Sequence, residues 1–120
     1  MAQSYQDLRV WKLAMELARD IYAATERLSD EEKYGLKSQL RRSAISIPSN
    51  IAEGWGRNAP GDFCRFLNIA TGSRCEVETQ LLLSNQLGLL NHEEIKPLTT
   101  KCMNLNSRIR ALQKKVAMQR

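Results

Sequence analysis

Between Leu8 and Leu28 the apolar residues fall on two lines at heptad spacing. One runs through Leu8, Trp11, Met15, Ala18 and Tyr22, the other through Val10, Ala14, Leu17, Ile21, Ala24 and Leu28. At about 100° per residue the two lines span roughly 200° of a helix, whereas covering one core takes little more than about 100°. A soluble monomer seldom leaves so wide a stripe wet, so Val10, Ala14, Leu17 and Ile21 are assigned to contact with another copy of the chain. A helix one enclosed by the other helices of a monomer is the competing account. Ser29 with Glu32 reads as a capping box that opens a second helix near Asp30; it continues through Pro48 to about Trp55, where Gly54 and Gly56 stop it. Asn58, Pro60 and Gly61 form a short connection, with Asn58 or Asp62 capping helix three. Phe63, Phe66, Leu67, Ala70, Val77 and Leu81 give that helix its core face, and Gly88 ends it. Asn91 caps a fourth helix, with Glu94 reaching back and Leu90 set against Ile95 as a hydrophobic staple. Its seam, Ile95, Leu98, Cys102, Leu105, Ile109, Leu112 and Val116, steps by three and four as left-handed bundle packing requires. No period-two run survives, so no strand is expected. The pattern predicts an all-α fold: a single domain, residues 1–120, forming an antiparallel up-and-down four-helix bundle assembled as a homo-oligomer, with helices at about 7–28, 30–55, 60–87 and 92–117.

Helix two breaks helix rules in a patterned way. Pro48 removes a backbone donor and crowds the Ala44 carbonyl, at a cost of about 3 kcal/mol where a helix continues through it. Gln39, Ser43, Ser46, Asn50 and Glu53 form a polar seam beside the apolar line of Leu36, Leu40, Ala44, Ile47 and Ile51. Small hydroxyl and amide groups on such a line point to a specific hydrogen-bonded contact or interface, where a plain surface helix would carry Lys, Glu and Ala.

Charge changes the picture through its distribution. The chain carries a net +5, and from Lys96 onward every charged side chain is basic: Lys96, Lys101, Arg108, Arg110, Lys114, Lys115 and Arg120. One-signed charge of this kind attracts phosphate backbones or an acidic protein partner, and also serves as a solubilising face. Arg108, Arg110, Lys114 and Lys115 are therefore nucleic-acid-binding candidates, and Lys37, Arg41, Arg42 and Arg57 make a second basic group. Arg41 and Arg42 have two readings: outward as part of a phosphate-binding patch, or inward in salt bridges to Glu53 or to Glu76 of a neighbouring subunit. Trp55 either caps the bundle core or stacks on single-stranded bases.

Catalytic and metal chemistry find little footing. Of the three cysteines, Cys64 and Cys75 are eleven residues apart on one predicted helix and cannot pair, and Cys102 sits on a core position. With one histidine, His92, neither a zinc site nor the Glu-x-x-His pairs of di-iron bundles can be assembled. The serines and Cys64 lack a histidine base for nucleophilic catalysis. GWGRNAPG has glycines without the Lys-Ser/Thr pair or preceding strand of a phosphate-binding loop. The expectation is a non-enzyme without cofactor or metal. Reduced thiols, the absence of a signal-like N-terminus and the absence of a membrane-spanning run favour a cytoplasmic location away from membranes.

The tracts DLRVWKLAMELARDIY, YGLKSQLRR, QLRRSAISIPSNIAEG and FCRFLNIATGSRCEVETQLLLSNQLGLL resemble the four-helix-bundle proteins encoded by intervening sequences in bacterial 23S ribosomal RNA genes. The resemblance covers nearly the whole chain; its most specific words are QLRRSAISIPSNIAEG and GSRCEVE. Arg74 departs from it, standing where an apolar or small residue is expected. The resemblance implies an all-helical bundle, assembled into rings such as a pentamer, with no established catalytic activity, and it favours RNA as the nucleic acid. A more distant resemblance is to the basic helical accessory proteins of diversity-generating retroelements, which bind a reverse transcriptase and nucleic acid; it implies a protein-interaction adaptor as the alternative function.

Overall fold

A computed structural model of the chain describes residues 2–29, 31 and 35–119. After a 3-10 turn, Tyr5–Asp7, come four helices: α1 (Arg9–Thr25), α2 (Leu36–Gly56), α3 (Pro60–Gln86) and α4 (His92–Ala117). Among the described residues there is no strand. The molecule measures 46 × 22 × 19 Å; α1 packs on α2 and α4, α2 packs on α3, and α3 on α4.

Local chemistry sets the helix ends. Ser4 Oγ accepts from the Gln6 amide at 3.0 Å, and Asp7 accepts from the Gln3 and Ser4 amides, so the first turn is closed before Leu8 swings into extended backbone and α1 begins. The proposed Ser29–Glu32 capping box and the helix start at Asp30 lie outside the described residues. Within them α2 begins at Leu36, with Gly35 at its N-cap. The helix then runs through Gly54 and ends at Gly56, one residue past the expected bound. What ends it is Asn58, whose left-handed φ of 58° turns the chain away, a conformation Asn tolerates better than most residues. Gly88 does the same for α3 at φ 77°: the Leu89 amide donates to the Ser84 carbonyl (2.9 Å) and the Gly88 amide to that of Asn85 (3.0 Å). At the start of α4, the Glu94 amide donates to Asn91 Oδ1 (2.8 Å) and the Asn91 amide to Glu94 Oε1 (2.9 Å), while Leu90 and Ile95 are both buried. The helix starts at His92 despite Pro97.

The interface assignment on α1 is corrected by the packing. Val10, Ala14, Leu17 and Ile21 are 3%, 0%, 1% and 0% exposed and belong to the chain's own core, with Leu40, Ile47, Leu67, Val77, Leu105 and Ile109. The stripe left at the surface is the other one. Trp11 and Met15 are half-buried and Tyr22 is 38% exposed. The compact aliphatic line fills the interior, where packing density is decided, and the line with amphipathic aromatics and Met lies at the boundary.

The polar seam of α2 also finds its partner within the chain. Ser43 is buried, and Ser46 Oγ lies 2.8 Å from Ser73 Oγ on α3. Asn50 Nδ2 donates to Ser46 Oγ (2.9 Å) and to the Ser46 carbonyl (2.8 Å). Gln39 and Glu53, at the seam's ends, are exposed. These small side chains let the two helices come close, and Gly54 sits at a tight point: a Cβ there would lie 2.6 Å from Phe66 Cβ and 3.1 Å from Phe63 Cδ1.

Candidate nucleic-acid interface

The sequence offers eight basic candidates, and the fold sorts them by what they touch. Arg41 is spent internally. Its Nε donates to Thr25 Oγ1 (2.9 Å), its Nη2 to the Tyr22 carbonyl (3.1 Å) and to Glu26 Oε2 (3.1 Å), and its guanidinium lies 4.4 Å above the Tyr22 ring. Those acceptors belong to the last turn of α1 and its continuation, so Arg41 caps that helix where carbonyls lack partners and the helix dipole favours a cation. Neither sequence reading placed it there. Lys37 Nζ donates to the Leu28 carbonyl at 2.9 Å. Arg57 pairs with Glu53 at 2.9 Å on its own helix and leans over Phe66, 5.1 Å from the ring centroid. Glu53 is thus held by Arg57 and not by Arg41 or Arg42. Arg42 is exposed, and no acidic partner faces it among the described residues.

Arg108, Arg110, Lys114 and Lys115 remain. All four are exposed on the second half of α4, and none has an ion-pair partner among the described residues. Elsewhere in the bundle several cations are matched: Arg27 with Glu94, Lys101 with both Glu16 and Asp20, and Arg65 with Asp62 at 3.8 Å. The Glu94 carboxyl is held below the usual carboxylate range by the hydrogen bond from Arg27 and then by the Asn91 amide. The Lys101 ammonium is held above its ordinary range by Asp20 first.

Two pits mark the end of the molecule where these cations lie. One, about 170 Å³, is lined by Leu8, Arg9 and Val10 at the start of α1 and by Arg108, Ala111 and Leu112 of α4. The other, about 230 Å³, is lined by Gly54, Trp55, Asn58, Ala59, Pro60 and Phe63 together with Val116 and Gln119. The half-buried Trp55 meets Phe63 edge-on at 6.1 Å and closes the bundle at that end. Arg9 is not among the basic groups the sequence singles out, because it stands at the start of helix one, apart from both groups. The signal available was the short connections, which bring the start of helix one beside the end of helix four.

A larger groove, about 530 Å³, runs between α1 and α2. Its walls are the leftover stripe of α1, with Trp11, Met15, Ala18 and Tyr22, and the α2 residues Ile45, Pro48, Ser49 and Ala52; Tyr5 and Arg19 complete it. Ile45 is 45% exposed there. The Tyr5 ring meets that of Trp11 at a tilt of 43°, with centroids 5.3 Å apart.

On the other side of the molecule Arg74, the departure noted in the sequence, is 7% exposed. It pairs with Glu78 and donates to Cys75 Sγ at 3.3 Å, while its Nε has no partner. Nearby Cys102 is buried, and burial first, with the Glu78 charge second, pushes its thiol up to about 12. Among the described residues no group of three His, Cys, Asp or Glu side chains could hold a metal ion, and no helix is long and apolar enough to cross a membrane.

The chain is similar in fold to the crystal structure of a protein of unknown function from the S23 ribosomal protein family of Bacteroides thetaiotaomicron. The TM-score is 0.78 at 24% identity, over 88% of this chain and 98% of that one. No curated protein matches the chain. The family model described as 23S rRNA-intervening sequence protein matches residues 6–111, which takes in the Arg9 and Arg108 pit, the α2 seam and all of α3. With a match of that extent, the chain belongs to the 23S rRNA-intervening sequence protein family.

Proposed function

We propose that this protein is a non-enzymatic, cytoplasmic scaffold: an antiparallel up-and-down bundle that self-assembles and holds RNA on its basic surface. The observation that carries the reading is the set of exposed cations on α4, Arg108, Arg110, Lys114 and Lys115, gathered on one half of one helix without acidic partners among the described residues, whereas Arg27, Arg41, Arg57, Arg65, Arg74 and Lys101 are paired. Contacts to phosphate release counterions and make affinity fall steeply with salt. Self-assembly is supported by the α1–α2 groove, whose apolar walls leave Tyr22 and Ile45 in water in a lone subunit. Copies joined through it would multiply weak phosphate contacts by raising the local concentration of basic surface. RNA is preferred over DNA because of the family.

Light scattering of the purified protein before and after nuclease treatment tests both halves. The expected result is a multiple of the 13.7 kDa subunit mass, with co-purifying RNA that is lost sharply between low and physiological salt. A lone subunit free of nucleic acid, or salt-insensitive retention, would count against the reading. A protein-interaction adaptor like the retroelement accessory proteins is the second reading, favoured by the size of the groove, about 530 Å³. Charge reversal at Arg108, Arg110 and Lys114 that abolishes capture of an acidic protein while leaving RNA retention intact would favour it.

A further inference from the structure

Along the boundary between α1 and α4, opposite charges face each other at two levels. Arg27, just past the end of α1, meets Glu94 in the first turn of α4, and midway Lys101 sits between Glu16 and Asp20. At the third level the matching fails. Where the start of α1 meets the last turns of α4, Arg9 and Arg108 line the same pit, and neither has an acidic partner among the described residues. The rest of the lining is Leu8, Val10, Ala111 and Leu112, an apolar floor that screens the two charges less well than open water does. Like charges set across an apolar pit oppose folding, and a carboxylate on either helix would have removed the conflict, as it does at the other two levels.

Size narrows what the pit takes. Its volume of about 170 Å³ falls below the ~300 Å³ at which small-molecule sites begin, so it admits a group and not a whole nucleotide. Two guanidinium groups present planar forks of donors suited to phosphate oxygens, and a phosphate between them turns repulsion into attraction on both sides. We infer that this notch seats a backbone phosphate of bound RNA, with Arg9 from α1 and Arg108 from α4 donating to one phosphodiester. The inference rests on the RNA-binding reading and deepens it: Arg9 joins the site, and the contact lies across two helices instead of along α4 alone.

The test uses the full chain and a short oligouridylate as probe, with affinity measured over a range of salt. Arg9→Gln and Arg108→Gln are each expected to weaken binding about tenfold and to lower the slope of log affinity against log salt by about 0.7, the value for one phosphate contact on a single strand. The double variant is expected to lose much less than the product of the two single losses, because both side chains serve one phosphate. Lys96→Gln removes the same charge from the first turns of α4, where the side chain is exposed, and is expected to change affinity by less than about twofold. Without RNA, both arginine variants are expected to melt no lower than the wild type, since each relieves the repulsion. Single losses no greater than that of Lys96→Gln, or losses that multiply independently, would overturn the shared notch while leaving RNA binding in place. A wild type that does not bind the oligouridylate at low salt would overturn both.

Discussion

Replacing Gly54 by alanine puts a close helix approach under direct test. The new Cβ would stand 2.6 Å from Phe66 Cβ and 3.1 Å from Phe63 Cδ1. Phe66 Cβ is fixed to the α3 backbone, so no rotamer change relieves the first contact, and the helices must separate locally by something approaching 1 Å. Overpacking of that kind costs about 1–3 kcal/mol, and a contact this short belongs at the upper end. Alanine in a helix interior returns about 1 kcal/mol relative to glycine. The expected net effect is a loss of about 2 kcal/mol. Gly72, inside α3 with no atom within 4 Å of an added Cβ, supplies the control: Gly72→Ala keeps the propensity gain and is expected to stabilise by up to about 1 kcal/mol. Urea unfolding followed by far-UV circular dichroism, at one protein concentration because assembly shifts apparent stability, separates the two. Gly54→Ala as stable as the wild type, or a change equal to that of Gly72→Ala, would refute the close approach of α2 and α3.

Other outcomes follow from individual side chains. Arg41→Gln removes the cap on α1 and is expected to cost about 1–3 kcal/mol in unfolding experiments while leaving the RNA affinity of the folded protein unchanged; a selective loss of RNA binding would mean the guanidinium is not held as described. Thiol titration at mildly alkaline pH should modify the exposed Cys75 first and the half-buried Cys64 more slowly, with Cys102 reacting only as the chain unfolds. Because the Cys102 thiol is raised from 9.0 to about 12, its contribution to stability is whole below the first value and is lost as pH climbs towards the second; Cys102→Ala should flatten that alkaline decline. Glu94 has the opposite sign: its carboxyl titrates below the ordinary 4.5, so its contribution is present above that value and disappears as pH falls through the lower one. Glu94→Gln should therefore flatten the acid limb of a stability profile measured by urea unfolding, and an unchanged acid limb would rule out the Arg27 pairing in solution.

Most of the helical framework could be read from the residues, because α4 and α3 state their core faces at helical spacing and α4 its start in a capping box. The cap expected for α3 from Asn58 or Asp62 does not form, since Ala59 stands at that N-cap with no side-chain bond. Asn91 with Glu94 and Leu90 with Ile95 are local signals, complete within a few residues, and local signals survive translation into structure. On α1 the sequence showed how much apolar surface there was but not which line faced inward. Two apolar lines of five and six residues differ mainly in side-chain shape, and the choice fell to packing against α2 and α4. Gly54 misled for a related reason. A glycine near a helix end reads as a stop, and only the Phe63 and Phe66 side chains of a helix still to come reveal it as a contact. The basic candidates divided in the same manner. Arg41 is on a polar position by any periodicity, and its occupation by Thr25 and the Tyr22 carbonyl depends on where α1 ends in space. Arg9 was invisible as a partner of Arg108 because that relation exists only between helices distant in sequence.

Pro48 acquires a location, and with it the separation of two surfaces. Its ring is buried against the groove that faces Trp11, Met15 and Tyr22, while Ser46, on the other flank of α2 and held by Asn50 of the same helix, bonds to Ser73 of α3. The helix thus gives up the donor to the Ala44 carbonyl on the side where apolar contact is available, and spends side-chain hydrogen bonds on the side where α3 is close. The groove lies between α1 and α2, whereas the notch lies between α1 and α4. Assembly and phosphate contact should therefore respond to different substitutions. Ile45→Glu places a charge on the groove wall without touching Arg9 or Arg108, so it is expected to reduce the mass measured by light scattering and, through lost multivalency, to weaken retention of long RNA by at least about tenfold. Binding of a short oligonucleotide by a single subunit should stay within about twofold, since each notch survives. A dissociated Ile45→Glu protein that holds long RNA as tightly as the wild type would show that assembly adds nothing to binding, and an undissociated one would move the subunit contact away from the groove.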